Sequence, residues 1–322
     1  MRLARVNQES QRTESTSRIN EQNQGAESAR IRSTAEPSRA PSGGAFIRWP
    51  VRRRAWQPES VLSDDEISGF LADGYVAVRG AVPAPVIMAV QDAIWAELAC
   101  QGVERDDTST WTAPVVRIPC PEGSPFAQAA TMPVLQEACD QLIGAGRWWR
   151  RAGIGGSIPV RFPSEADPGD AGWHIEASYE EGGQWRVNVG SRARGLLALY
   201  LLTDVDPDSA PTRLRPGSHR DVPPILASAG DAGMDWLPAA QQAARASAHR
   251  PTALATGGAG DVFLCHPFLV HAASWPHRGH RPRMIAQPGV ALHGQYAVWA
   301  IPGETPPPVQ QVILDSLAAV TP

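Results

Sequence analysis

The stretch Gly172-Trp173-His174-Ile175-Glu176 sets a histidine and a carboxylate two residues apart, just after the turn-forming Pro168-Gly169-Asp170. Side chains alternate faces along an extended chain, so His174 and Glu176 project to one side and Trp173 and Ile175 to the other. One imidazole nitrogen and one carboxylate oxygen are thereby offered to a single metal ion. Alone, an HxE triplet is weak evidence, because it arises often by chance and usually marks polar surface. A second histidine in a suitable setting would give it meaning.

The surroundings supply that setting. From Trp148 onward, short β-rich runs alternate with Gly/Pro/Asp turns, the pattern of an antiparallel sandwich or barrel. Ser157 to Pro163 is a candidate strand, with Pro159 favouring an edge or irregular position. Leu196 to Asp204 reads as a fully buried strand, and the turn Gly257 to Asp261 leads into another, Val262 to His266. Beyond it lies Phe268-Leu269-Val270-His271-Ala272-Ala273-Ser274, where small residues leave room beside the imidazole. His174, Glu176 and His271 form a set of two histidines and one carboxylate, the face that holds Fe(II) and leaves other positions open. Arg283 follows downstream, where a returning strand brings a planar fork of donors suited to a carboxylate. Arg281 competes for that place, but Met284-Ile285-Ala286 begins a strand directly after Arg283.

The other candidates have plainer readings. His266 is a strand-end histidine satisfied by hydrogen bonding, and His219 orders the Pro216-Gly217-Ser218-His219 turn. His277, Arg278 and His280 read as exposed loop. Arg161 and Arg213 either orient a ligand or serve as structural ion-pair partners. Trp173 packs behind the metal strand, and Trp148-Trp149 belongs to the core.

Ahead of this region, residues 1–44 are rich in Ser, Arg, Gln, Glu and Asn, which predicts a disordered tail. Pro50-Val51-Arg52-Arg53-Arg54 is a basic surface patch. A single domain is expected over residues 45–322, with its β core from about 148 to 300. Ser63-Asp64-Asp65-Glu66 has the form of a helix N-terminus, Gly74 ends that helix, and Tyr75 to Gly80 reads as a strand. Ala84 to Cys100 is an amphipathic helix, and another begins near Met132-Pro133. An alanine-rich helical insertion is expected from about Val222 to Ala248. Its lid-like segment from Ala227 to Arg250, with Thr108 to Pro121, is expected to line the pocket.

Composition narrows the function classes. Hydrophobic residues make up 43% of the 322, enough for a large core, and there are eleven tryptophans. A net charge of −4 gives no basic footprint, which argues against a nucleic-acid partner. Cys100, Cys120, Cys139 and Cys265 form no CxxC pair, so neither a zinc knuckle nor a disulfide framework is indicated. No apolar run reaches the roughly 20 residues needed to cross a bilayer, and no signal peptide opens the chain. A cytoplasmic protein with no membrane partner is expected, and nothing in the sequence sets its oligomeric state.

Residues from Pro159 to about Pro288 resemble the phytanoyl-CoA dioxygenase family. The likeness rests on VRFP ending at Pro163, PGDAGWHIEASY from Pro168, DVDPDSAPTRLRPGSH from Asp204, and GDVFLCHPFLVHAAS from Gly260, followed by RPR. The opening GYVAVRG from Gly74 is similar as well. The resemblance implies a mainly β fold with flanking helices around a double-stranded β-helix, a jelly-roll of cupin-like type. It implies Fe(II) on His174, Glu176 and His271, with O2 and 2-oxoglutarate as cosubstrates. Arg283 would grip the distal carboxylate of 2-oxoglutarate, with Ser274, Thr212 and Arg161 as further contacts.

The reaction implied is oxidative decarboxylation to succinate and CO2, coupled to hydroxylation, desaturation or ring closure of a small apolar or amphipathic metabolite. The family's carboxylate is usually Asp, and Glu176 is one methylene longer. Its retention argues against a halogenase, in which a halide takes the vacated position. The readings that compete are a non-catalytic small-molecule-binding β-barrel and a cupin-like isomerase or epimerase using another divalent metal.

Overall fold

The computed structural model describes residues 60–320, so the expected tail and the basic patch at 50–54 lie outside the described residues. Helix α1 (Asp64–Asp73) starts with a reciprocal cap: Ser63 Oγ accepts the Glu66 N–H, and the Glu66 carboxylate accepts the Ser63 N–H. It ends at Gly74, whose φ of 86° is left-handed. Strand β1 (Tyr75–Val78) follows, then α2 (Ala84–Ala99), which buries Ile87, Val90, Ile94 and Leu98 at helical spacing. Next come β2 (Val115–Pro119), α3 (Ser124–Ala130) and α4 (Pro133–Ile143). The β-rich part contributes β3 (Ser157–Arg161), β4 (Tyr179–Glu181), β5 (Gln184–Val187), β6 (Arg194–Leu201) and β7 (Arg213–Leu214). The insertion holds α5 (Val222–Ala227), β8 (Met234–Asp235) and α6 (Trp236–Ala246). Strands β9 (Ala253–Leu254), β10 (Val262–Cys265), β11 (His271–Ala272), β12 (Arg283–Ala286) and β13 (Gly289–Ala291) precede the final helix α7 (Pro308–Ala318).

All the pairings are antiparallel. The main sheet runs β1-β10-β6-β12-β3-β2, with β13 also on β6, and two smaller sheets run β11-β7-β9 and β4-β5-β8. The β core therefore begins well before residue 148, because β1 and β2 form the two edges of the main sheet. Strand β3 is interior and not at an edge, and Pro159 takes the irregular position instead, just beyond the end of the β12 ladder. Hydrogen bonds from Phe162 N–H to Pro114 O and from Cys120 N–H to Gly156 O show that the even-numbered positions of β3 serve β2. Pro159 thus turns its missing donor toward β12, whose ladder reaches only Arg161 and Val160, so no bond is lost there.

The period of two divides the core. Leu197, Leu199 and Leu201 of β6, Phe263 and Cys265 of β10 and Ile285 of β12 cluster with Leu214 of β7 and Ala255. This is the inner face, toward the small sheet that carries His271. The alternate residues Leu196, Ala198, Tyr200, Val262, Leu264, Met284 and Ala286 pack with Phe70, Ile94, Leu142 and Ile313 of the helices. Helices thus cover one side of the main sheet and leave the other for the site.

Two histidines are buried beneath α1 and α7. His266 Nδ1 accepts the Phe268 N–H at 3.1 Å and its Nε2 lies 3.2 Å from Val309 O. His219 lies beside it, with ring centroids 5.1 Å apart. Burial pushes His266 down to about 3 and, together with neighbouring His266, holds His219 well below its ordinary value. Both are neutral when folded, whereas in the unfolded chain each takes up a proton below a pH of about 6.5. The stability they contribute is present above that pH and is lost as pH falls through and below it. Each should remove on the order of 1 kcal/mol per pH unit below about 6. Urea midpoints measured between about pH 7 and 4.5 should fall steeply for the wild type and less steeply for His266→Gln; equal slopes would contradict the assignment.

Candidate metal centre

The quoted stretch is extended but is not a strand. His174 makes an isolated antiparallel bridge with His271, in which His174 N–H bonds to His271 O at 3.0 Å and His271 N–H to His174 O at 2.9 Å. Directly paired residues point to the same face, and here that face bears both imidazoles, their ring centroids 4.4 Å apart. Glu176 joins them: its Oε1 is 3.3 Å from His271 Nε2 and 3.9 Å from His174 Nε2. One ligand atom from each residue lies within 4.8 Å of the other two.

The second nitrogen of each ring is already engaged. His174 Nδ1 is 2.9 Å from Gly172 O and His271 Nδ1 is 3.0 Å from Leu269 O. A carbonyl can only accept, so each Nδ1 carries a proton and Nε2 of each ring is the atom a metal would take, in place of the hydrogen bond that His271 Nε2 donates to Glu176. Burial and then the adjacent His271 push His174 down to about 4, which keeps it an unprotonated ligand. Burial alone would raise the Glu176 carboxyl, but the His271 hydrogen bond and the charge of Arg194 outweigh it and hold the group well below its ordinary range. Two imidazole nitrogens and one ionised carboxylate suit a divalent first-row metal.

Two residues that give no local sign in the sequence hold this segment. Trp236 Nε1 donates to Ile175 O at 2.6 Å, and Arg194 Nε donates to Ala177 O at 2.7 Å. The carbonyls on either side of Glu176 are therefore fixed, one by the insertion and one by β6. Tyr179 Oη and Arg186 Nε both donate to Ala232 O, and Arg186 Nη1 pairs with Asp235 at 2.7 Å. The middle of the insertion is thus latched onto the chain that follows Glu176, and Trp236 is 4% exposed. The insertion packs directly against the segment that carries His174 and Glu176.

Arg283 lies on the inner face of β12, where it is 1% exposed, and Arg281 is exposed. Arg283 Nη1 donates to Ala210 O at 2.9 Å, and its Nε is buried without a hydrogen-bond partner. Ser274 Oγ donates to Pro211 O at 2.5 Å, and the next residue, Thr212, has a buried Oγ1 with no hydrogen-bond partner. The segment 210–212 is therefore held between Arg283 and Ser274. Arg161 stands opposite Arg283 in register and bonds Asp170 at 2.5 Å. Arg213 goes elsewhere: with Arg215 it flanks the Trp173 indole, their guanidinium carbons 4.8 and 4.0 Å from the ring centroid. Trp173 thus packs on the side away from the metal ligands.

His266 is committed to Phe268 and Val309, whereas His271 joins His174 and Glu176 in a cluster that could hold a metal ion. His277 departs from its expected exposure. The bridge between Ser164 and His277 draws it inward to 5% exposed, while His280 stays at the surface. Trp148 is buried as expected, but Trp149 is exposed, its ring centroid 4.2 Å from that of His293.

Two histidines and a carboxylate on one face, with a buried guanidinium nearby, define a non-haem Fe(II)- and 2-oxoglutarate-dependent oxygenase. Residues 70–285, well over half of the chain, match the family described as Phytanoyl-CoA dioxygenase (PhyH), and the chain belongs to that family. It is an enzyme that uses iron, 2-oxoglutarate and dioxygen. Among solved structures, the epimerase SnoN in complex with Fe3+, alpha ketoglutarate and nogalamycin RO aligns at TM-score 0.52 with 18% identity, covering 78% of this chain and 94% of that one. The alpha ketoglutarate dependent carbocyclase SnoK from nogalamycin biosynthesis aligns at 0.49 with 18% identity, over 78% and 95%. HygX from Streptomyces hygroscopicus with nickel and 2-oxoglutarate bound aligns at 0.46 with 15% identity, over 72% and 88%. At these identities the likeness to SnoN shows a shared fold. No curated protein matches the chain. Among the described residues, no helix is long and apolar enough to cross a membrane.

The carbonyl contacts around Glu176 give a direct test. Trp236→Phe keeps the ring but removes the donor to Ile175 O, and should weaken Ni(II) binding roughly tenfold in calorimetric titration, as loss of an outer partner does elsewhere. Glu176→Ala should weaken it by more. Unchanged affinity in Trp236→Phe would show that the indole bond does not position the ligands.

Proposed function

We propose that the protein is a dioxygenase that hydroxylates, desaturates or cyclises a small apolar or amphipathic metabolite and releases succinate and CO2. Two antiparallel sheets that face each other across Leu199, Phe263, Ile285 and Leu214 support reading the core as a double-stranded β-helix. The observation that carries the functional reading is the convergence of His174, Glu176 and His271 within 4.8 Å, with both Nδ1 atoms engaged by carbonyls.

Bound iron supplies the oxidising chemistry, activating dioxygen as 2-oxoglutarate is decarboxylated. The protein's own contribution is placement. His174 and His271 hold the metal through Nε2, and Glu176 offsets its charge. Arg283 receives the distal carboxylate of 2-oxoglutarate; burial and neighbouring Arg161 penalise its charge, which an anion relieves. Thr212, whose hydroxyl is buried without a partner, donates to the same carboxylate, and Arg161 flanks it. Ser274 has committed its proton to Pro211 O, so it acts by holding Thr212 in place.

The test is succinate release by the purified full chain with Fe(II), ascorbate and 2-oxoglutarate over a panel of metabolites. His174→Ala should abolish release, and Arg283→Gln should raise the KM for 2-oxoglutarate more than about tenfold, the loss expected for a charge-assisted bond. Release that survives in His174→Ala, or an unchanged KM in Arg283→Gln, would overturn the assignment.

A further inference from the structure

Three adjacent strands each place one arginine on the inner face of the main sheet. Arg283 on β12 is opposite Arg161 on β3, and Arg117 on β2 lies diagonally beyond, two pairs further along the ladder and so on the same face. The row runs outward. Arg283 and Arg161 are 1% and 2% exposed, whereas the Arg117 side chain keeps 27% of its surface.

One carboxylate faces this row. Asp170 Oδ2 accepts a hydrogen bond from both Arg117 and Arg161. Asp170 Oδ1 and the Nε atoms of all three arginines are buried without a hydrogen-bond partner. So concentrated a group of unpartnered polar atoms in a folded protein calls for a ligand. Asp170 lies four residues before His174, so the row is tied to the head of the segment that carries His174 and Glu176.

The charges can be matched one by one, on the cosubstrate reading given above. A divalent metal is balanced by Glu176 and by the carboxylate of 2-oxoglutarate that binds it. Arg283 takes the distal carboxylate, and Arg161 is paired with Asp170 at 2.5 Å. Arg117 shares that same Asp170 oxygen, so one positive charge is left over at the solvent-reaching end of the row. Arg194, beside Glu176, adds to the excess. A partly buried charge without its own counter-charge is costly unless a ligand completes it.

We propose that Arg117 is a second anion subsite, separate from the cosubstrate clamp, and that it receives a carboxylate or phosphate group of the substrate. The substrate is then amphipathic and carries its anionic group toward β2, with its apolar part toward the metal. Arg117 is a specificity-determining residue; Asp170 bridges it to Arg161, offsets one of their two charges and so limits the subsite to a single anion.

The test titrates sodium acetate, sodium phosphate and, as a neutral control, acetamide into the full chain loaded with Ni(II) and 2-oxoglutarate, at constant ionic strength. The melting midpoint is read for the wild type, Arg117→Gln and Arg117→Lys. A saturable upward shift is expected with acetate or phosphate and not with acetamide. Arg117→Gln should lose roughly tenfold in anion affinity while Arg117→Lys stays within about threefold. Among candidate substrates paired as free acid and amide, the acid should stimulate succinate release, and Arg117→Gln should raise its KM about tenfold with little change in kcat. Equal shifts with acetate and acetamide, or an anion response unchanged in Arg117→Gln, would overturn the subsite. Saturable anion binding with no preference for acids over amides would assign it to a free inorganic anion and overturn the substrate role. Binding of 2-oxoglutarate to the Ni(II) protein is followed separately; its failure counts against the cosubstrate reading, and the acetate titration without cosubstrate still decides Arg117.

Discussion

Two reciprocal backbone hydrogen bonds, between His174 and His271, join parts of the chain that are far apart in sequence. Everything at the centre follows from that one pairing. It fixes both rings on the same face, and the carbonyls of Gly172 and Leu269, each two residues upstream, then set the tautomer of each imidazole. A slip of one residue on either side would turn one ring to the opposite face, because the side-chain period is two. The long apolar strands of the main sheet resist such a slip, since Leu197, Leu199 and Leu201 would have to exchange faces with Leu196 and Ala198.

A second constraint is electrostatic. Arg283 and Arg161 are buried on the inner face with a single carboxylate, Asp170, among them. Charge held out of water is normally paired, and an unpaired remainder lowers stability. The fold bears this cost at the place where we propose that ligand carboxylates bind, and a deep apolar face packed against helices provides the stability that offsets it. Polar atoms left without partners at Thr212 and along the arginine row belong to the same arrangement.

Much of this was legible in the sequence, for physical reasons. The metal ligands sit at spacings that an extended chain converts directly into a shared face, and the strands announce themselves by apolar runs between turn residues. Caps were equally plain at Ser63 and Gly74, where local side-chain and backbone chemistry decides the geometry. The parts that escaped depend on tertiary neighbours. Trp236 and Arg194 reach carbonyls in a distant segment, and no pattern around either residue marks that reach. The main sheet extends back to β1 and β2 because strands of four and five residues carry too little periodicity to reveal their partners. His277 looked like surface because its loop is polar, but docking of that loop against Ser164 buries it.

Glu176 shows how such tertiary support changes the meaning of a sequence feature. One additional methylene gives a carboxylate more reach and also more freedom, and freedom is a liability for a metal ligand. The chain removes that freedom from the backbone side, by fixing the carbonyl before Glu176 with an indole from the insertion and the carbonyl after it with a guanidinium from β6. From the side-chain side, Oε1 is drawn to within 3.3 Å of His271 Nε2, and the charge of Arg194 keeps the carboxylate ionised. The longer ligand and the two braces therefore form one device. The insertion belongs to the metal centre as much as the ligand segment does, because without Trp236 the residue between His174 and Glu176 loses its anchor.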